Sequence, residues 1–187
     1  YLMGNPDAPI KLVEYGALSC SHCADFAENA GPELRSEYID SGRVSFETRL
    51  VVLNAMDVPA GLLVQCSAPE ATVALADQFW ANQASFFENA QQAGDGAFQQ
   101  ASSLPPEQRL VAMAELFGMV DFFASRGISR DQANACLTDL DAAQEFVDNS
   151  NSYEVTSTPT LEINGTRLTS APTWEELEPA LQRAGAR

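Results

Sequence analysis

The sequence predicts an α/β protein in which a small domain with a β-sheet is interrupted by an all-helical insertion. Three features indicate this class: an opening strand, helix and strand, a long stretch of helical patterns, and a closing strand, hairpin and helix. The flanking segments 1–54 and 149–187 are each too short to bury a sheet alone. We therefore expect them to form one domain, with residues 55–148 as the inserted helical domain.

The opening unit is a strand, a helix and a second strand. Residues 10–15 alternate and include β-branched side chains, which indicates a strand. Apolar residues then recur at helical spacing from Cys20 to Tyr38, with a kink expected at Gly31, and strand character returns over 44–53. Two parallel strands joined by a helix require a right-handed crossover, so these elements form one βαβ unit.

The middle of the chain carries helical patterns and no convincing strand. These patterns cover residues 57–67, 69–90, 105–126, 129–140 and 141–152. A glycine-rich loop is expected at 94–96, Pro105 and Pro106 open the third helix, and Gly127 closes it.

The closing unit is a hairpin followed by a helix. Residues 160–163 have strand character, and Asn164-Gly165 is a strong signal for a two-residue hairpin turn. Thr173 and Glu176 are spaced as a capping box, so an amphipathic helix is expected to begin after Thr173.

The charge balance excludes some partners and selects none. Ten Lys and Arg residues against 26 Asp and Glu residues give a formal charge of −16 at pH 7, which would repel nucleic acid and anionic membranes. No apolar run approaches the ~18 residues of a membrane span, and no leader sequence opens the chain. We therefore expect any export signal to have been removed already.

The motif Cys20-Ser21-His22-Cys23 lies between the first strand and the first helix. A C-x-x-C pair in this position is typical of a redox-active dithiol. The helix N-terminus favours a thiolate on Cys20, and His22 adds a second stabilising charge when it is protonated. Cys20, His22 and Cys23 are therefore the candidate catalytic residues.

Two alternatives use the same residues. Zinc would find three ligands in Cys20, His22 and Cys23, but the sequence offers neither a second C-x-x-C nor a His pair for the fourth. The two cysteines could also form a purely structural disulfide. We favour the catalytic dithiol and expect neither a metal nor another cofactor.

The sequence resembles the DsbA family of bacterial thiol-disulfide oxidoreductases over nearly its whole length. The resemblance rests on the C-x-x-C motif, the helical insertion, and Thr158-Pro159 ahead of a strand. It implies a thioredoxin fold with an inserted helical domain. It also implies that Pro159 is cis, faces the C-x-x-C motif and, with Thr158, binds a substrate backbone. Without the resemblance, Pro159 could simply cap an edge strand.

The family pattern includes an acid at the position of Glu14, and this chain departs from the pattern at two other positions. Glu14 lies six residues before Cys20, where the family carries a buried acid that modulates the active site; the alternative is an exposed strand residue. Well-known members have Pro where this chain has Ser21, and Val where it has Thr158. Because these positions modulate thiolate stability, the family does not fix the reduction potential of this protein.

Cys66 and Cys136 both lie in the helical insertion. If Cys20 and Cys23 form the redox pair, Cys66 and Cys136 remain, and an oxidising compartment favours a structural disulfide between them. Two separately buried free thiols are the alternative.

These features together predict an exported oxidase that introduces disulfides into other exported proteins in the bacterial periplasm or cell envelope. Its expected partners are unfolded or reduced exported proteins and a DsbB-like membrane protein that reoxidises it. We expect a monomer. The alternatives are a disulfide isomerase or reductase, and a chaperone that binds peptides without redox turnover.

Overall fold

The computed structural model describes residues 1–169 and 173–187, and within them a five-stranded mixed sheet carries a large helical region. The strands are β1 (Leu2–Met3), β2 (Ile10–Gly16), β3 (Val44–Leu50), β4 (Thr160–Ile163) and β5 (Thr166–Arg167). Their order is β1-β3-β2-β4-β5, in which β2 and β3 are parallel and the other pairs antiparallel. The predicted α/β class is confirmed.

The helices follow β2 and fill the chain between β3 and β4. They are α1 (Ser21–Asn29), α2 (Gly31–Glu33), a π-helix (Leu34–Ile39), α3 (Asp57–Gln65), a 3₁₀ turn (Pro69–Ala71), α4 (Thr72–Ala81), α5 (Gln83–Ala93), α6 (Asp95–Ser102), α7 (Pro106–Leu116), α8 (Met119–Ala124), α9 (Arg130–Thr138), α10 (Leu140–Ser152) and, after β5, α11 (Trp174–Ala184). No helix in the described part of the chain has the length and apolar character needed to cross a membrane.

Strand β2 is the centre of the sheet and determines which side chains face α1. Because side chains alternate along a strand, Ile10, Leu12 and Glu14 point to one face, and Val13 and Tyr15 point to the other. Ile10 and Leu12 belong to a core that also contains buried residues of α1, the π-helix and α11. The same alternation therefore directs Glu14 toward the face that packs against α1; Val13 and Tyr15 are buried on the opposite face.

Several predicted helix boundaries were wrong. The helix expected over 69–90 is divided at Asn82, and the one expected over 105–126 is divided at Gly118, which has a left-handed φ of 77°. The expected loop at 94–96 is reduced to Gly94, because α6 begins at Asp95. Strand β3 ends at Leu50 rather than at residue 53.

The closing unit has the predicted local structure. Asn164 and Gly165 both have positive φ angles, of 50° and 82°, as a tight hairpin turn between β4 and β5 requires. The capping box is present before α11, with the Thr173 N–H donating to Glu176 Oε2 at 3.1 Å.

The helices between β3 and β4 pack around a second core, which is mainly aliphatic and contains a group of stacked aromatic side chains. Phe79 stacks on Phe86 with ring centroids 4.2 Å apart, and Phe122 packs edge-on against both rings. A disulfide joins Cys66, at the end of α3, to Cys136 in α9, with Cα atoms 6.0 Å apart. The structure therefore contains the expected pair rather than two free thiols.

Candidate active site

Cys20 lies where the loop after β2 becomes α1. It is the N-cap residue of α1, and the backbone N–H of Cys23 donates to its Sγ at 3.3 Å. On the other side, the Cys20 thiol donates to the carbonyl oxygen of Thr158 at 3.4 Å. Both cysteines are free thiols; Cys20 is half-buried and Cys23 is fully buried.

Hydrogen bonds stabilise the Cys20 thiolate. The pKa of Cys20 is lowered from 9.0 to about 5, chiefly by a hydrogen bond from the Cys23 side chain. Partial burial opposes this shift, whereas the Thr158 side chain and the backbone N–H groups of Cys23 and His22 add to it. Donors at a helix N-terminus are the expected environment for a nucleophilic cysteine.

The environment of Cys23, unlike that of Cys20, favours the protonated thiol. Its hydrogen bond with Cys20 and its burial both raise its pKa well above the usual range, and the charge of Glu14 raises it further. At neutral pH the reduced pair therefore consists of a Cys20 thiolate and a Cys23 thiol.

The two residues between the cysteines are exposed. Ser21 is the first residue of α1, and the His22 imidazole has 80% of its side-chain surface exposed. His22 Nδ1 lies 3.7 Å from Asp25 Oδ2, one turn along the helix. The backbone of His22 thus contributes to the thiolate site, while its side chain forms an exposed pair with Asp25.

Thr158 and Pro159 face Cys20 from the loop before β4. The Thr158–Pro159 peptide bond is cis, as the resemblance to the DsbA family implied, and Pro159 is buried. The hydrogen bond from Cys20 to the Thr158 carbonyl brings this loop into direct contact with the C-x-x-C motif.

Glu14 is a buried acid whose charge interacts with both cysteines: the charge of Cys20 contributes to the raised pKa of Glu14, and Glu14 contributes to that of Cys23. Only 1% of it is exposed, and its Oε1 has no hydrogen-bond partner within the described part of the chain. Its pKa is raised from 4.5 to about 8, chiefly by burial, and the negative charges of Asp77 and Cys20 contribute to that rise. The alternative of an exposed strand residue is thereby excluded.

Asp77 lines both a small cavity beside Glu14 and a larger groove on the surface. Glu14 and Asp77 line a cavity of about 20 Å³, a volume sufficient for one water molecule. Asp77 also lines an open groove of about 550 Å³ beside α1, where its Oδ2 accepts a hydrogen bond from Arg35 at 3.0 Å. Burial raises the pKa of Asp77, and Arg35 opposes that shift.

Three residues missed by the sequence analysis hold the loop that precedes Cys20. Asp57 Oδ1 accepts from the Ser19 N–H at 2.8 Å, and Trp80 Nε1 donates to the Ala17 carbonyl at 3.0 Å. Gln83 Nε2 donates to the carbonyl oxygens of Leu18 at 2.7 Å and Cys20 at 3.1 Å. All three lie in the helical region.

Strand β2 ends at Gly16, which leaves space for one of these contacts. A Cβ atom there would lie 3.2 Å from both Trp80 Cζ2 and Glu14 Oε1, tighter than most such contacts.

No metal-binding cluster of three His, Cys, Asp or Glu side chains forms among residues 1–169 and 173–187.

Comparison with known proteins identifies the family. The family model described as Thioredoxin matches residues 1–183. A protein-disulfide isomerase from Novosphingobium aromaticivorans has a similar structure, with a TM-score of 0.90 and 27% identity, covering 99% of this chain and 97% of that one. Wolbachia pipientis α-DsbA1 has the same fold at a TM-score of 0.72 and 22% identity, covering 98% and 89% of the two chains.

A Rickettsia bellii protein, named provisionally as a protein-disulfide oxidoreductase, is 35% identical over 65 residues. That match covers 35% of this chain and only 25% of the relative, so it aligns with about a quarter of that protein. The predicted thioredoxin fold with inserted helices is confirmed by the structural likenesses. The chain therefore belongs to the thioredoxin family and has the DsbA-like form of its fold.

Proposed function

We propose that this protein is a thiol-disulfide oxidoreductase of the DsbA type and that it acts as an oxidase. The observation that carries this proposal is the hydrogen bonding of Cys20 as a thiolate beside a buried Cys23 thiol. Stabilising the thiolate lowers the free energy of the reduced protein, while the disulfide form gains nothing from it. A disulfide whose reduced form is stabilised in this way is readily reduced, and it therefore oxidises its substrate.

The reaction proceeds through a mixed disulfide. A substrate thiolate attacks Cys20 Sγ of the Cys20–Cys23 disulfide; a substrate–Cys20 bond forms, and Cys23 leaves as a thiolate that takes up a proton. A second substrate thiolate then attacks the substrate sulfur and displaces Cys20. The substrate loses two electrons and two protons, and the enzyme gains the two electrons.

Cys23 and Glu14 have separate parts in this scheme. Since Cys23 is buried and its pKa is raised, it is stable as a thiol once the enzyme is reduced. Glu14, with its own pKa near neutrality, would exchange the Cys23 proton, and the small cavity that Glu14 shares with Asp77 would hold a water molecule that relays it. When a substrate stalls, Cys23 attacks Cys20 and releases it.

Thr158 and Pro159 are proposed as the substrate-binding edge. The loop lies against Cys20, so a peptide that is bonded to Cys20 passes beside it. Since Pro159 has no N–H, peptide binding at this edge relies on the groups of Thr158 and on van der Waals contact with the ring.

The proposed setting is an oxidising compartment of the bacterial envelope. The Cys66–Cys136 disulfide supports it, because such bonds persist mainly outside the reducing cytosol. The proposed substrates are reduced exported proteins. Each turnover leaves the pair reduced, so an external oxidant such as a DsbB-like membrane protein is required.

The main test uses oxidised protein and a reduced model substrate. We expect stoichiometric disulfide formation, and no oxidation by Cys20→Ser. Cys23→Ser should instead capture a disulfide substrate through Cys20 as a stable mixed disulfide. Full oxidising activity in Cys20→Ser would overturn the proposal. Retained suppression of aggregation without oxidation in wild type would favour the peptide-binding chaperone.

The second candidate, an isomerase or reductase, is favoured by the name of the Novosphingobium aromaticivorans protein. Equilibration with glutathione buffers separates the two directions. A reduction potential close to about −120 mV indicates a strong oxidant, whereas one close to about −270 mV resembles thioredoxin and indicates reduction.

A further inference from the structure

The surface beside Cys20 contains a groove of about 720 Å³ between α1 and the start of α11. Its apolar lining includes Phe26, Pro159 and the half-buried Trp174. Thr158 also lines it, so the groove is continuous with the loop that contacts the reactive sulfur. A volume of this size holds several side chains of an extended peptide.

The charged residues of the groove are strongly asymmetric. Asp25, Glu33 and Glu175 are exposed and line it, and among the described residues no Lys or Arg does. His22 is the one titratable group able to carry positive charge there, and it is paired with Asp25. Residues 170–172 precede α11 outside the described part and carry no charge in the sequence.

We propose that this groove selects reduced substrate segments that carry Lys or Arg close to the reacting cysteine. The inference rests on the proposed function, since it concerns which peptides reach Cys20. A basic side chain would pair with Asp25, Glu33 or Glu175. An acidic side chain would meet three like charges.

The aromatic lining adds to this selection. The aliphatic stem of a Lys or Arg side chain can pack along Trp174 while its charged end reaches the carboxylates at the surface. An Arg guanidinium can also stack on the indole ring. The groove thus offers both an apolar wall and negative charge, which a hydrophobic peptide without basic residues would use only in part.

The test uses three reduced dithiol peptides that differ only in residues flanking the cysteine: Lys, Gln or Glu. At low salt, oxidation of the Lys peptide should be about tenfold faster than that of the Glu peptide, since each exposed ion pair changes an equilibrium roughly 1.5- to 5-fold. The ratio should shrink at high ionic strength because salt screens exposed charges.

Variants separate the groove from the overall negative charge of the protein. Glu33→Gln with Glu175→Gln should reduce the Lys-to-Glu ratio to about twofold. The matched control, Glu88→Gln with Glu145→Gln, removes two exposed carboxylates that do not line the groove. It should keep the wild-type ratio within about twofold. Equal loss of preference in both double variants would overturn the inference in favour of a general charge effect.

A binding measurement makes the outcome independent of redox activity. Calorimetry with the same peptides, carrying Ser in place of Cys, gives the ratio of their dissociation constants. Tighter binding of the Lys peptide, lost in the groove variant, supports the inference even without oxidation. Failure to oxidise the Gln peptide would overturn the proposed function alone. Equal rates and equal binding for all three peptides would overturn this inference alone.

Discussion

Gln83 Nε2 donates a hydrogen bond to the carbonyl oxygen of Cys20 at 3.1 Å, so a residue of the helical region holds the backbone of the candidate nucleophile. The same amide group also binds the Leu18 carbonyl. On either side of Leu18, Trp80 binds the backbone of Ala17 and Asp57 binds that of Ser19. The helices between β3 and β4 are therefore part of the scaffold of the site.

Gln83→Ala should weaken both the fold and the thiolate site. It leaves two loop carbonyls without their donor, which costs about 1–3 kcal/mol of unfolding free energy. Release of the loop should also loosen the contact between Cys20 and the Cys23 N–H, and so raise the pKa of Cys20. Urea unfolding and the pH dependence of thiolate absorbance measure the two effects.

Gln91→Ala is the matched control for that variant. Gln91 lies in the same helix, α5, and is exposed, so its loss should change the unfolding free energy by less than about 0.5 kcal/mol. If Gln83→Ala lowers stability while the pKa of Cys20 stays at about 5, Gln83 is structural and does not position the nucleophile.

Thr158→Val should raise the pKa of Cys20 above its value of about 5. The substitution keeps the shape of the side chain and removes the hydroxyl group that stabilises the thiolate. A less stable thiolate makes the reduced form less favourable, so the reduction potential should become more negative. Thr156→Val, in the same loop and exposed, should change neither quantity. A lowered pKa in Thr158→Val would contradict this assignment.

The sheet was predictable because its strands carry local patterns. Alternation in β2 and the Asn164-Gly165 turn are signals that no distant contact alters. At the division at Gly118, a left-handed glycine coincides with a tertiary contact: Asn89 Nδ2 donates to the Phe117 carbonyl at 3.0 Å where α7 ends. The glycine at that position was the available signal for a helix C-terminus.

The site was only partly predictable for a similar reason. Cys20 and Cys23 lie three positions apart, so their motif is visible in one short segment. Trp80 contacts Ala17 across 63 residues, and Gln83 contacts Cys20 across the same separation. Such contacts leave no local pattern. The burial of Glu14 has a local cause, because it shares a strand face with Ile10 and Leu12.

Removing the second disulfide should destabilise the protein without removing its redox pair. Cys66 and Cys136 are 70 residues apart, and a crosslink over such a loop destabilises the unfolded chain by about 4 kcal/mol through its lost conformational entropy. Denaturant unfolding of Cys66→Ser with Cys136→Ser, with Cys20 and Cys23 oxidised in both proteins, measures the loss. A loss below about 1 kcal/mol would mean that the bridge contributes little.

His22→Ala should raise the pKa of Cys20 by less than Thr158→Val does. The variant keeps the backbone N–H that stabilises the thiolate and removes only an exposed imidazole. The reduction potential should become slightly more negative, with about 30 mV corresponding to 1.4 kcal/mol. Asp25→Asn should lower the pKa of Cys20 and make the reduction potential less negative, since it removes a negative charge close to the same helix end. If His22→Ala changes neither the pKa of Cys20 nor the reduction potential, His22 stabilises the thiolate through its backbone N–H alone.

Glu14→Gln should make the stability of the reduced protein less dependent on pH. Burial, together with the charges of Asp77 and Cys20, raises the pKa of Glu14 from 4.5 to about 8, so folding takes up a proton between these values, and stability falls as the pH rises through this window. At 1.36 kcal/mol per pH unit, wild type should lose about 3 kcal/mol between about pH 4 and pH 7 relative to Glu14→Gln. Cys20, whose pKa is lowered, adds an opposite slope in both proteins.

Urea unfolding across that pH range measures the difference, and Asp77→Asn provides its control. Because the charge of Asp77 contributes to the raised pKa of Glu14, its removal should lower the pH at which the loss of stability ends and reduce its size at neutral pH, while the loss still begins near pH 4.5. Glu14→Gln should abolish the loss, whereas Asp77→Asn should only reduce it. Parallel stability curves for wild type and Glu14→Gln would mean that Glu14 already ionises at its ordinary pKa, and such an acid would not hold the Cys23 proton at neutral pH.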